Sequence, residues 1–108
     1  MNGPVEYAVV VPTVGRPCLA DCLRALASCS GPAPTEVVVV DDRPAAGGPL
    51  PLGPARGLPV RTLATGGRGP AAARNAGWRV VSTPWVVFLD DDVQVEPDWA
   101  DRLAADLA

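Results

Sequence analysis

Trp85-Val86-Val87-Phe88-Leu89-Asp90-Asp91-Asp92-Val93 is the stretch whose reading decides the fold. Five apolar residues run directly into three carboxylates. An unbroken apolar run of this length predicts a strand buried on both faces, as in a parallel sheet. In open α/β sheets ligands collect beyond the carboxyl ends of the strands, which is where the three aspartates fall. Two carboxylates 4 Å apart repel by roughly 4 kcal/mol at an effective dielectric near 20, so such a cluster needs solvent or a cation to hold it together. Asp90 and Asp92 are candidate ligands for a hard divalent ion, with Asp91 as their spacer. A plain acidic turn capping the next helix is the competing reading, but the best helix start, Pro97, lies several residues further on.

The remaining chain repeats this pattern. Residues 5–12 form a predicted first strand centred on Ala8-Val9-Val10-Val11, ended by Pro12, which cannot continue a central ladder. Thr13-Val14-Gly15-Arg16 is then a turn, and residues 17–28 a helix with Leu19, Cys22, Leu23 and Leu26 as its apolar stripe. The valine run of residues 36–40 is a second strand ending in Asp41-Asp42. Residues 43–59 are rich in proline, glycine and alanine and read as a long loop with room for one irregular helical turn. Residues 60–64 are a short third strand, Gly66-Gly67-Arg68-Gly69 a flexible turn, and residues 70–82 a second helix. The fourth strand is residues 85–89, and a last helix starting near Pro97 carries Trp99, Leu103 and Leu107 along one face. Its stripe is still running at Ala108. Strands alternating with helices imply right-handed βαβ units and a Rossmann-like parallel sheet covered on both faces.

Composition narrows the function. The chain has 108 residues, enough for one domain, and 48% of them are apolar. No apolar run approaches the roughly 20 residues needed to cross a bilayer, and no basic-then-apolar leader opens the chain. The expected location is cytoplasmic, or peripheral at a membrane. The net charge of −3 conceals an asymmetry: residues 43–89 hold six arginines and no acid, whereas residues 90–108 hold seven acids and one arginine. A basic middle beside an acidic cluster suits an anionic ligand that brings a metal. It does not suit nucleic acid, which requires a broad basic face with aromatic platforms. With no histidine, the chain can hold neither a Ser-His-Asp nor a Cys-His device. Cys18, Cys22 and Cys29 are too few for zinc and read as small buried hydrophobes. Neither a G-x-G-x-x-G fingerprint nor a G-x-x-x-x-G-K-[ST] loop is present.

Every predicted strand thus ends in residues able to hold a ligand, and a parallel sheet sets those ends along one edge. Asp41 and Asp42 can accept from a base N–H or from ribose hydroxyls. The glycine-rich turn before Pro70 lets the backbone approach a phosphate, with helix N–H groups behind it. Arg68 and Arg74 can add charge-assisted contacts to a diphosphate.

Taken together, Val9-Val10-Val11-Pro12-Thr13, Glu36-Val37-Val38-Val39-Val40-Asp41-Asp42, Gly69-Pro70-Ala71-Ala72-Ala73-Arg74-Asn75-Ala76-Gly77 and Phe88-Leu89-Asp90-Asp91-Asp92 resemble the family 2 glycosyltransferases. Their order and spacing match the nucleotide-sugar-binding, N-terminal half of the GT-A fold across nearly the whole chain. The resemblance implies a β-α-β-loop-β-α-β-α half-domain over residues 1–108, truncated relative to the family. It implies a nucleoside-diphosphate sugar donor, an acceptor that is a glycan, a lipid or a small molecule, and an inverting transfer to an acceptor hydroxyl. Pro12 and Thr13 would border the nucleoside, with Arg16 beside them, and Asp41 or Asp42 would contact the base. Arg74 would lie near the nucleotide and its phosphates. Asp90-Asp91-Asp92 matches the D-x-D motif, so Asp90 and Asp91 would face the ribose or sugar. Asp92, with Asp90, would bind Mg²⁺ or Mn²⁺, a Lewis acid for the departing diphosphate. The general base belongs to an acceptor half that is not among these residues, and Arg43-Pro44 replaces the small polar residues usual after the second acidic pair. A non-catalytic nucleotide-binding module, or a truncated product, is the alternative reading.

Overall fold

The computed structural model describes residues 5–45 and 47–108, so that Ala46, in the predicted long loop, lies outside the described residues. Seven elements follow in the order β1 (Tyr7–Thr13), α1 (Cys18–Ala27), β2 (Glu36–Asp41), β3 (Val60–Ala64), α2 (Pro70–Arg79), β4 (Trp85–Phe88) and α3 (Trp99–Leu107). The strands form one parallel sheet in the order β3-β2-β1-β4, as their unbroken valine runs predict. Val9, Val10 and Val11 of β1 and Val37 to Val40 of β2 are fully buried, because these two strands are central and both faces are covered. On one face Val9, Val11, Val37 and Val39 meet the α1 stripe Leu19, Cys22, Leu23 and Leu26, with Trp99 and Leu103 of α3 packed alongside. On the other face Val10, Val38 and Val40 meet Ala73 of α2.

Most element ends fall within two residues of their expected positions, and two of the shifts have identifiable reasons. β1 runs through Pro12 to Thr13, where Thr13 pairs with Asp41. Val10 faces β4, its carbonyl accepting from the Leu89 N–H at 3.0 Å, whereas Thr13 faces β2, accepting from the Asp42 N–H at 2.8 Å. Backbone groups alternate sides along a strand, so Pro12 turns its missing N–H toward β4, whose pairing has already ended at Val10 with Phe88. α2 stops at Arg79 rather than Ser82, with the Val80 N–H folding back to the Gly77 carbonyl. The β-branched Val80-Val81 that follows gives the helix little reason to continue. Among its described residues the 43–59 connection carries no helix or strand, only tight turns such as the one in which the Leu58 N–H meets the Ala55 carbonyl at 2.8 Å. It is anchored because Leu50, Leu52 and Leu58 pack against the α1-side core. Of the cysteines, Cys22 is buried and its thiol is pushed up to about 11, chiefly by desolvation, while Cys18 and Cys29 are only half-buried.

Gly77 sets how close α2 lies to the sheet. A Cβ there would collide with Val10 Cγ1 and sit 3.1 Å from Val40 Cγ2. Gly77→Ala gains about 1 kcal/mol of helix propensity but overpacks the interface at about 1–3 kcal/mol. A net loss of about 1 kcal/mol is expected, read as a lower urea midpoint at unchanged m-value.

The outer edge of β4 is apolar on both faces. Trp78, Trp85 and Phe88 are 45%, 48% and 44% exposed there. Ala71, Arg74, Asn75, Trp78, Val86 and Phe88 line an open cavity of about 510 Å³ on the α2 side.

Candidate active site

The carboxyl ends of β1 and β4 and the start of α2 enclose a crevice of about 390 Å³. Of the residues singled out in the sequence, Pro12, Thr13, Arg16, Asp42, Arg74, Asp90, Asp91 and Asp92 all line it. Asp41 and Arg68 do not. Asp41 borders a groove toward the 43–59 loop, and Arg68 borders a groove between the end of β3 and the outer side of α2. Val14, Pro70 and Ala73 complete the crevice wall. None of the three carries charge; Val14 belongs to the turn after β1 and Pro70 and Ala73 to the 69–77 motif, but that they wall the crevice follows only from the packing of α2 beside β1.

The three aspartates after β4 divide by direction. Asp91 is turned inward and is 3% exposed, whereas the Asp90 and Asp92 side chains are 66% and 59% exposed. Asp91 Oδ2 accepts from the Thr13 hydroxyl at 2.7 Å and from Arg16 Nε at 3.3 Å, and its Oδ1 pairs with Arg16 Nη2. The Thr13 oxygen in turn accepts from the Gly15 N–H at 3.0 Å. Gly15 makes the turn at φ +84°, in the left-handed region that suits glycine. Asp91 therefore binds the β1–α1 loop to the end of β4. Among the described residues the exposed pair meets only loose cations: Arg74 lies 3.5 Å from Asp90, and Arg16 lies 3.9 Å from Asp92.

The Asp41-Asp42 pair is held within the protein. Arg43 grips Asp41 through Nε at 2.9 Å and Nη2 at 2.8 Å, which holds that carboxyl below its ordinary range. The same guanidinium donates to the carbonyls of Gly47 and Gly48 at 3.2 and 2.8 Å, tying down the start of the loop. Arg43, a departure from the family pattern in sequence, thus pairs with the carboxylate two residues back.

Asp42 accepts from the Thr65 hydroxyl at 2.6 Å and from the N–H groups of Gly67, Arg68 and Gly69 at 3.1, 2.9 and 2.9 Å. These bonds, the Thr65 hydroxyl foremost, hold its carboxyl low. The glycine-rich turn is thus an anion nest, and Asp42 fills it. This corrects the expectation for the turn itself, because its N–H groups at Gly67, Arg68 and Gly69 are already taken by Asp42.

Among the described residues no cluster gathers three or more potential metal ligands. Asp90 and Asp92 still offer an oxygen-only donor set directed into open space. Two carboxylates suit Mg²⁺ or Mn²⁺ when substrate phosphates and waters complete the shell.

A family model for glycosyl transferase family 2 matches residues 8–108. The chain belongs to glycosyl transferase family 2. Among solved structures, this family 2 chain resembles S. aureus TarS 1–349 at 26% identity and TM-score 0.79, over 94% of this chain and 32% of that one. The S. aureus TarS structure matches at 26% identity and TM-score 0.76, over 94% of this chain and 19% of that one. TarS 1–349 in complex with UDP-GlcNAc gives 24% identity and TM-score 0.74, over 94% and 30%. The parallel sheet is therefore the GT-A half-domain of the family, and the chain spans about a third or less of the TarS chains it matches. No curated protein matches. Among the described residues no helix is long and apolar enough to cross a membrane.

Proposed function

We propose that the crevice binds a nucleoside-diphosphate sugar together with Mg²⁺ or Mn²⁺, for inverting transfer of the sugar to an acceptor hydroxyl. The observation that carries this reading is the division of the aspartates: Asp91 is spent on the fold, leaving Asp90 and Asp92 in the crevice beside two arginines. Pro12 and Thr13 border the nucleoside, Arg74 and Arg16 face the diphosphate, and Asp90 and Asp92 hold the metal. Bound there, the metal supplies Lewis-acid stabilisation of the departing diphosphate. The UDP-GlcNAc named with the TarS neighbour supports a nucleotide sugar as donor class.

Direct displacement by a hydroxyl also needs a base. The crevice has none to spare. Asp91 and Asp42 are consumed by hydrogen bonds, Asp90 and Asp92 serve the cation, and Asp98, Asp101 and Asp106 do not line it. The chain thus acts as the donor-binding half. The apolar β4 edge and the share of TarS that it spans support completion of the site by further polypeptide. The missing base equally favours a second reading, a nucleotide-binding module without transfer. Release of nucleoside diphosphate from donor sugar by the 108-residue chain would count against that second reading.

Calorimetric titration of UDP and GDP with and without Mn²⁺ tests the donor reading. Binding of at least one nucleotide should require the metal, and Asp92→Ala should weaken it by about 10–100-fold. A folded sample whose nucleotide binding ignores Mn²⁺ would sink the idea.

A further inference from the structure

The carboxyl edge of the sheet carries two kinds of arginine–aspartate contact, one beside the crevice and one within it. Arg43 and Asp41 are locked, at 2.8 and 2.9 Å and with both side chains largely buried. Arg74 and Asp90 stand 3.5 Å apart, beyond ordinary hydrogen-bond length, with side chains 42% and 66% exposed. The Arg16–Asp92 contact is looser still at 3.9 Å, because Arg16 is committed first to Asp91. Pairs this exposed add little to stability. Their effect lies elsewhere, since a carboxylate engaged by a guanidinium is less available to a metal ion.

We propose that Arg74, assisted by Arg16, is an exchangeable counter-ion: it neutralises Asp90 when no metal is bound and passes to the diphosphate when metal and nucleotide arrive together. The inference rests on the donor-crevice reading and deepens it. Arg74 lines both the crevice and the adjoining 510 Å³ cavity along α2, so its side chain has open space in which to move. A cation arriving alone must displace the guanidinium from Asp90 and leave it without an anion. A nucleoside diphosphate arriving alone meets two carboxylates that repel it. Arriving together, each ligand supplies the partner that the other releases, so their binding is positively coupled, and the coupling is reciprocal.

The experiment separates the two ligands. Mn²⁺ binding to the intact chain is followed without nucleotide by the electron paramagnetic resonance signal of the free ion, and UDP and GDP are titrated at saturating Mn²⁺. Arg74→Gln should tighten Mn²⁺ alone by about two- to five-fold, since one exposed pair no longer competes. The same substitution should weaken the nucleotide at saturating Mn²⁺ by about ten-fold or more, through loss of a charged donor. Arg102→Gln removes the same charge from α3, outside the crevice, and should change neither constant. The opposite signs are the signature, because a merely structural role for Arg74 would move both constants the same way. If wild-type nucleotide binding needs Mn²⁺ yet Arg74→Gln leaves Mn²⁺ alone unchanged or weaker, the counter-ion role is overturned. If wild-type binding of both nucleotides ignores Mn²⁺, the donor reading falls and this inference with it.

Discussion

Replacing Asp42 with alanine should lower the unfolding free energy by about 2–4 kcal/mol, the largest single loss expected of a polar residue in this chain. One carboxylate receives the Thr65 hydroxyl and three successive backbone N–H groups, and alanine returns none of those bonds. Each donor stranded in a buried setting costs about 1–3 kcal/mol, and the half-exposed turn limits the sum by opening to water. Asp42→Asn is the milder change. Its oxygen can keep the contacts of Oδ1, while its amide group must face the Gly69 N–H that Oδ2 now accepts. The loss also carries a pH signature. The native Asp42 carboxyl is held below its unfolded value, so its contribution is complete above about pH 4 and disappears as pH falls through the native value. Asp41, held low by Arg43, acts in the same direction. Urea midpoints at pH 7 and pH 3 should therefore differ less for Asp42→Ala than for the parent chain. Equal acid sensitivity in the two proteins would show that the nest does not depend on the charge.

The parallel sheet was legible because periodicity and composition agree: valine runs ending in turn or acidic residues leave few alternatives to βαβ units. The convergence of Thr13, Asp42, Arg74 and Asp90 to Asp92 was legible for the same reason, since strand ends share an edge once the strands are parallel. Side-chain direction was not legible. Nothing in Asp90-Asp91-Asp92 says that the middle carboxylate turns inward. That follows from Thr13 and Arg16, more than seventy residues away in sequence, reaching it across the β1–β4 pair. The glycine turn misled for a related reason. A run of left-handed glycines creates a nest for any anion, and only the β2–β3 register, Asp41 beside Ala64, brings the Asp42 carboxylate there first. The roles of Gly77 and Pro12 likewise depend on close approach and on which neighbour a strand faces, and neither is a property of local sequence.

The inward turn of Asp91 leads to an expected division between stability and binding. Asp91→Ala should cost about 2–3 kcal/mol of stability without any ligand, in the range for hydrogen bonds to a charged group. It removes the acceptor of the buried Thr13 hydroxyl and the paired partner of Arg16. Full exposure of the Arg16 side chain is already half achieved at 51%, which keeps the cost below that of breaking a wholly buried ion pair. Thr13→Val tests the same lock from the other end. It deletes the hydroxyl that joins Asp91 to the Gly15 N–H and should cost about 1 kcal/mol. Asp92→Ala is the contrasting case. Its side chain is 59% exposed and its ion pair with Arg16 stands at 3.9 Å, so the unfolding free energy should change by no more than about 0.5 kcal/mol while metal-dependent nucleotide binding weakens by about 10–100-fold. Adjacent aspartates should therefore fail in opposite assays. If Asp91→Ala unfolds at the parent midpoint and loses only nucleotide, Asp91 is a ligand residue rather than the bolt between β1 and β4. If it melts early yet regains nucleotide binding under stabilising osmolyte, the bolt is its role, and Asp90 and Asp92 are left to hold the metal between them.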